Sequence, residues 1–162
     1  MAPPNDTHGT IQTNLTRTIS NHLIAARPKC RLVSTPGIAP HLRGDWNHRI
    51  PDVGITCALN LPGMGMMPDP LLLIEILSPG NSNDTWSNIS LYSTVPSVQE
   101  ILAVYSWTQR VDLLVRDDKG NWPKNAHSII GAEASVRLSS IDFDLPFTEI
   151  YRDTYLAGRN EA

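Results

Sequence analysis

Glu75 lies inside Leu71-Leu72-Leu73-Ile74-Glu75-Ile76-Leu77, a run that is otherwise apolar throughout. Such a run predicts a strand buried on both faces, in the middle of a sheet. An ionised carboxylate buried there without a partner costs several kcal/mol, so the group must be paired, protonated or bound to a cation. Upstream, Ile50-Pro51-Asp52-Val53-Gly54-Ile55 predicts the start of a second strand with an acid at its entry. Side chains alternate along a strand, so Glu75 shares a face with Leu73 and Leu77, and Asp52 with Ile50 and Gly54. If the two strands pair, the acids converge. Asp52, Glu75 and the backbone carbonyl of Ile76 could then supply part of the oxygen shell of a divalent metal, with water filling the rest.

The elements that must position these groups follow from pattern. Ile11, Leu15, Ile19 and Leu23 have helical spacing within Thr10 to Ala26, and Pro28 stops that helix. Strands are predicted at Cys30 to Thr35, Ile38 to Leu42, Asp52 to Leu59 and Leu71 to Leu77, with turns at Pro36-Gly37 and Gly44 to Asn47. Residues Asn81 to Asp84 cap a helix from about Thr85 to Thr94, with Trp86, Ile89 and either Tyr92 or Ser93 on its inner side. Glu100 to Ser106 and Val111 to Arg116 read as strands, Trp122-Pro123 as the start of a short return strand, and Val136 to Leu138 as another. In Ile141 to Leu145 apolar and acidic residues alternate, so Asp142 and Asp144 should face solvent, and Pro146 to Tyr151 closes with a helical turn. The order predicts one α/β domain, a central mixed sheet flanked by helices. Between two of the strands, Leu61 to Pro70 is too rich in Pro and Gly for regular structure. It lacks a phosphate-binding glycine fingerprint, and its three methionines read as gap-fillers.

The totals bound the function. The chain has 162 residues, 41% hydrophobic and 18% charged, with a formal net charge of −3. That suits one domain and argues against tight, extended binding along nucleic acid, which needs a basic surface. A local basic patch is still possible at His41, Arg43, His48 and Arg49, and the same residues read equally well as a solvated polar loop. No apolar run approaches the roughly 20 residues that span a bilayer, and the first residues lack the regions of a secretory signal. A cytoplasmic protein without membrane attachment is the expectation, with Cys30 and Cys57 reduced and buried.

The residues also resemble a known family. Arg49-Ile50-Pro51-Asp52-Val53, then Glu75-Ile76-Leu77-Ser78-Pro79, then Tyr92 followed by Pro96-Ser97 and Glu100, are similar in type and order to the bacterial "putative restriction endonuclease" family of the PD-(D/E)xK nuclease superfamily. His8 with the helix Gly9 to Leu23 resembles that family's histidine-led first helix, and Ile141 to Tyr151 its usual ending. The resemblance covers nearly the whole chain. It implies a restriction-endonuclease-like fold and a metal-dependent endonuclease acting on phosphodiester bonds in DNA. It further implies Asp52, Glu75 and position 88 as catalytic, with Mg2+ or Mn2+ held by Asp52, Glu75 and Ile76.

The chain departs from the family in its cation and at its start. The superfamily lysine, two places after the second acid, would fall at Leu77. The lysine that this branch carries on the helix falls at Asn88. Arg49 or His48 could supply the missing charge, although strand parity sets Arg49 on the face opposite Asp52. Family members begin with a short helix and a hairpin, and this chain starts inside the stretch that follows them. The expectation is a single domain over 1–162 lacking both, with one sheet edge uncovered and open to homodimer formation. The alternative to an enzyme is a catalytically silent nuclease fold that acts as a binding module. Structural alternatives attach to single residues too: Glu75 ion-paired with an arginine, Asp52 capping a turn, Asp84 capping a helix, His8 a polar helix-start residue, and Trp46, Trp86, Trp107 and Trp122 core or edge aromatics.

Overall fold

The computed structural model describes residues 5–40 and 48–158. The first helix, α1 (Asp6–Ala26), starts one turn earlier than its apolar spacing predicts. The cause is Asn5, whose side chain accepts a hydrogen bond from the His8 backbone N–H at 2.8 Å and so caps a turn that carries His8. Ile11, Leu15, Ile19 and Leu23 form its buried stripe.

A six-stranded sheet follows in chain order: β1 (Arg31–Ser34), β2 (Val53–Thr56), β3 (Pro70–Leu77), β4 (Glu100–Tyr105), β5 (Arg110–Val115) and β6 (His127–Ile130). All neighbours are antiparallel except β3 and β4, which run parallel because α2 (Ser82–Tyr92) provides the crossover between them. A separate hairpin of β7 (Ser135–Leu138) and β8 (Phe143–Pro146) leads into the single turn α3 (Phe147–Ile150).

Helices cover both faces of the sheet, which is the mixed α/β architecture predicted. On one face Ile74 and Ile76 of β3 pack with α1, the small hairpin and α3. On the other, Leu73, Leu77, Ile101 and Ala103 pack with Ile89 and Tyr92 of α2. β3 is buried on both faces as its composition demands, only Leu71 being half-buried. Glu100 is also buried, at the start of β4, where its carboxylate accepts hydrogen bonds from the Ser139 and Ser140 N–H groups at 2.9 Å each. Gly54 is required in β2, since a Cβ there would meet Pro36 Cγ at 2.7 Å and the Met67 side chain at 3.1 Å. Met67 therefore does fill a gap against the sheet, whereas Met64 is 45% exposed and does not.

Asp142 and Asp144 are exposed, as their alternation predicted, and both pair with Arg137. Three sequence expectations need correction. Trp122 begins no strand: its indole N–H donates to the Ser93 carbonyl at 2.9 Å, which holds it on the end of α2, and the return strand comes later as β6. Ile38 makes a single bridge, to Arg49, Ala39 and Pro40 join no strand, and His41 and Leu42, with the turn at 44–47, lie outside the described residues. The cysteines are not free thiols. Arg31 pairs with Thr56, so Cys30 and Cys57 stand opposite each other one step further on and form a disulfide. Among the described residues no helix is long and apolar enough to cross a membrane.

Candidate active site

β2 and β3 pair with Val53 opposite Ile74, so the next step along the ladder sets Asp52 opposite Glu75. The two acids meet as their positions predicted. Glu75 points to the α2 side, with Leu73 and Leu77. A bend at Asp52 breaks the strand alternation and lets its carboxylate reach both layers. Asp52 Oδ1 lies 2.9 Å from His8 Nε2 of α1, and Oδ2 accepts the Ile76 N–H at 2.7 Å. The backbone is held as well: the Asp52 carbonyl accepts the Gln12 side-chain amide at 2.9 Å and the Thr35 N–H at 3.0 Å.

Glu75 is 7% exposed and accepts the Tyr92 hydroxyl hydrogen bond at 2.7 Å. Burial is the main force on its ionisation. The Tyr92 hydroxyl works against burial, and the Asp52 charge adds to it; together they push the Glu75 carboxyl up to about 8. In the metal-free protein at neutral pH, Glu75 therefore keeps its proton. Burial and the neighbouring Glu75 likewise push the Tyr92 hydroxyl well above its ordinary range, so it remains a donor. No arginine is paired with Glu75 among the described residues, so the arginine ion pair is not what satisfies it.

Arg49 is not where parity put it. Its bridge partner Ile38 belongs to the buried cluster that contains Tyr92, so Arg49 stands on the Glu75 side. Its charge acts on the Tyr92 hydroxyl, and among the described residues it pairs with no carboxylate. Asn88 sits one helical turn before Tyr92, half-buried, and its side chain bonds neither acid. Asp84 is exposed in the first turn of α2. His41, Arg43 and Trp46 lie outside the described residues. Two site residues gained roles that spacing alone did not assign. His8 binds Asp52 across 44 positions, and Tyr92 binds Glu75 across 17. Their sequence signal was a polar group on a helix face that is otherwise apolar.

The donor set suits a hard divalent ion. Among the described residues no three His, Cys, Asp or Glu side chains form a ready-made cage. Two adjacent carboxyl groups are present, the charge of Asp52 helping to keep Glu75 protonated while no ion is bound, and a main-chain oxygen can join them. In the continued β2–β3 register Pro51 stands opposite Ile76 and has no N–H to give, so the Ile76 carbonyl receives no ladder donor from β2. Oxygen ligands of this kind match Mg2+ or Mn2+ rather than a soft metal.

The fold and site define a mixed α/β protein with two acids facing each other at the entry of one strand and in the interior of the next. Residues 1–142 match the Uma2 family, described as "Putative restriction endonuclease", and the chain belongs to that family. An uncharacterized protein of Synechocystis sp., slr1290, is 28% identical over 149 residues, spanning 90% of this chain and 74% of that protein. A crystal structure of a putative nuclease of the DUF820 group from Anabaena variabilis shares the fold. Its TM-score is 0.68 at 17% identity, over 91% of this chain and 82% of that one.

Proposed function

We propose that this protein is a Mg2+- or Mn2+-dependent endonuclease that hydrolyses phosphodiester bonds in DNA. The observation that carries the reading is Asp52 placed opposite Glu75, with Glu75 buried, bonded by the Tyr92 hydroxyl and raised to about 8. A buried acid held in so unfavourable a setting marks a functional position. Asp52, Glu75 and the Ile76 carbonyl would hold the ion. Bound there, it supplies an acidified water and neutralises charge on the phosphate. His8 and the Ile76 N–H fix the Asp52 carboxylate, and Tyr92 fixes Glu75.

A DNA phosphate entering this rim meets two acids and needs a compensating cation. Arg49 stands on the correct face and takes the place that the family gives to a helix lysine, which here is Asn88. Arg49→Ala is expected to lower the nicking rate by roughly 10², the order of one lost oxyanion donor, with Arg49→Lys recovering part. Equal rates in wild type and Arg49→Ala would assign the charge elsewhere.

The function itself is tested by nicking of supercoiled plasmid in Mg2+ or Mn2+, with wild type beside Asp52→Ala and Glu75→Ala. Activity is expected in wild type alone. Activity that persists equally in both variants belongs to a contaminant. The second reading, a silent nuclease fold that binds without cutting, is favoured by Asn88. It predicts plasmid binding without nicking in every protein.

A further inference from the structure

The row of residues that contains Glu75 continues across the sheet. Ala103 lies beside Glu75, Asp112 beside Ala103, and Ser128 beside Asp112. Asp112 is 3% exposed and belongs to no step proposed above. It accepts four hydrogen bonds, from Arg110 Nε and Nη2 at 3.0 Å each, the Tyr105 hydroxyl at 2.8 Å and the Ser128 hydroxyl at 2.6 Å. Burial opposes its ionisation, yet these bonds prevail and hold its carboxyl below the usual range. Asp112 is therefore an anion that fixes Arg110 in one plane.

The fixed guanidinium lies over an aromatic ring. The Arg110 guanidinium lies 4.7 Å from the Tyr105 ring centre, and Trp107 meets the same ring edge-on at 4.9 Å. Leu77 pairs with Tyr105, so the stack is two residues along and one strand across from Glu75, roughly 8 Å between Cα atoms. This is the carboxyl end of the parallel pair, where ligands of open α/β sheets bind. The stack is partly open there: Trp107 is 36% exposed and the Arg110 side chain 37%. Two of the guanidinium nitrogens are committed to Asp112 and the charge is cancelled. Tyr105 is itself buried between them, so what faces solvent is the Trp107 ring beside a charge-neutralised guanidinium, a partly aromatic surface that suits a planar ring and offers little to a phosphate.

We propose that Arg110, Tyr105 and Trp107 form a stacking subsite for one unpaired nucleobase of the DNA strand whose phosphate lies at Asp52 and Glu75. The proposal rests on the nuclease reading and adds to it a substrate with a base free of its duplex partner. Stacking of a base on an aromatic side chain changes affinity by roughly ten- to a hundredfold. The test is binding in EDTA, where no cleavage occurs. The probes are an oligodeoxythymidine and an abasic deoxyribose-phosphate strand of equal length, read by protein fluorescence and probe anisotropy. Trp107→Ala is expected to weaken oligodeoxythymidine binding by that factor, Trp107→Phe by much less, and neither to change binding of the abasic strand. Equal affinity of wild type and Trp107→Ala for oligodeoxythymidine overturns the subsite. So does a wild type that binds both probes alike, a comparison needing no variant to fold. Base-dependent binding without nicking would remove the nuclease reading and keep the subsite. Nicking that is lost in Glu75→Ala and indifferent to Trp107 would do the reverse.

Discussion

Glu75→Gln is expected to lower Mg2+-dependent nicking by at least about 10³ and, in the same protein, to raise stability above pH 8 when no metal is present. Both effects have one cause. The folded chain holds a proton on Glu75 up to about pH 8, whereas an unperturbed glutamate releases it near 4.5. Between those values the folded state binds more protons than the unfolded state, so stability falls as pH rises. The contribution is complete below about 4.5, declines across the window and is gone above 8. At about 1.4 kcal/mol per unit, the loss amounts to about 3–5 kcal/mol. Glutamine keeps the acceptor for the Tyr92 hydroxyl and has no proton to lose, so its stability should stay flat. Urea unfolding of both proteins in EDTA at pH 5, 7 and 9 measures the difference. A wild-type curve parallel to the variant's would show that Glu75 is not held protonated. Adding Mg2+ at pH 8 should then stabilise wild type and leave Glu75→Gln nearly unmoved, because only an ionised pair attracts the ion.

Arg110→Ala should cost about 3–5 kcal/mol, more than most single substitutions, because it leaves Asp112 buried with no opposite charge. The Asp112 side chain is 4% exposed in its pair with Arg110, and only the Tyr105 and Ser128 hydroxyls would remain as donors. Asp112→Asn on the Arg110→Ala background is expected to recover part of the loss, since the uncompensated charge disappears. A double-mutant cycle by chemical denaturation reads the coupling directly. A loss below about 1 kcal/mol would mean that Asp112 is solvated or protonated without its arginine.

Glu75 and Asp112 carry the same sequence signal, an acid inside an apolar strand. At Glu75 that signal was legible because the run around it is long and unbroken. At Asp112 it was missed: Val111-Asp112-Leu113 is short, and its neighbour Arg110 looks like ordinary strand-end polarity. Arg49 shows a different limit. Alternation through Pro51 misplaces it because the chain bends at Asp52, and the rule fails wherever a strand is interrupted. The cysteines show a third. Twenty-seven positions separate them, and composition cannot say that β1 and β2 pair in a register that sets them side by side.

Apolar spacing, capping residues and proline stops are local, and they suffice to read off the helices, most of the strands and the two-sided burial of β3, with the meeting of its glutamate and Asp52 following if β2 and β3 pair. What those acids touch depends on how distant segments pack. His8 comes from the far layer, Tyr92 from the crossover helix, and Arg49 from beyond a bend. The reason is physical: local pattern sets which face a side chain takes, whereas hydrogen-bond partners and a raised acid arise from register and burial, which exist only once distant segments have packed.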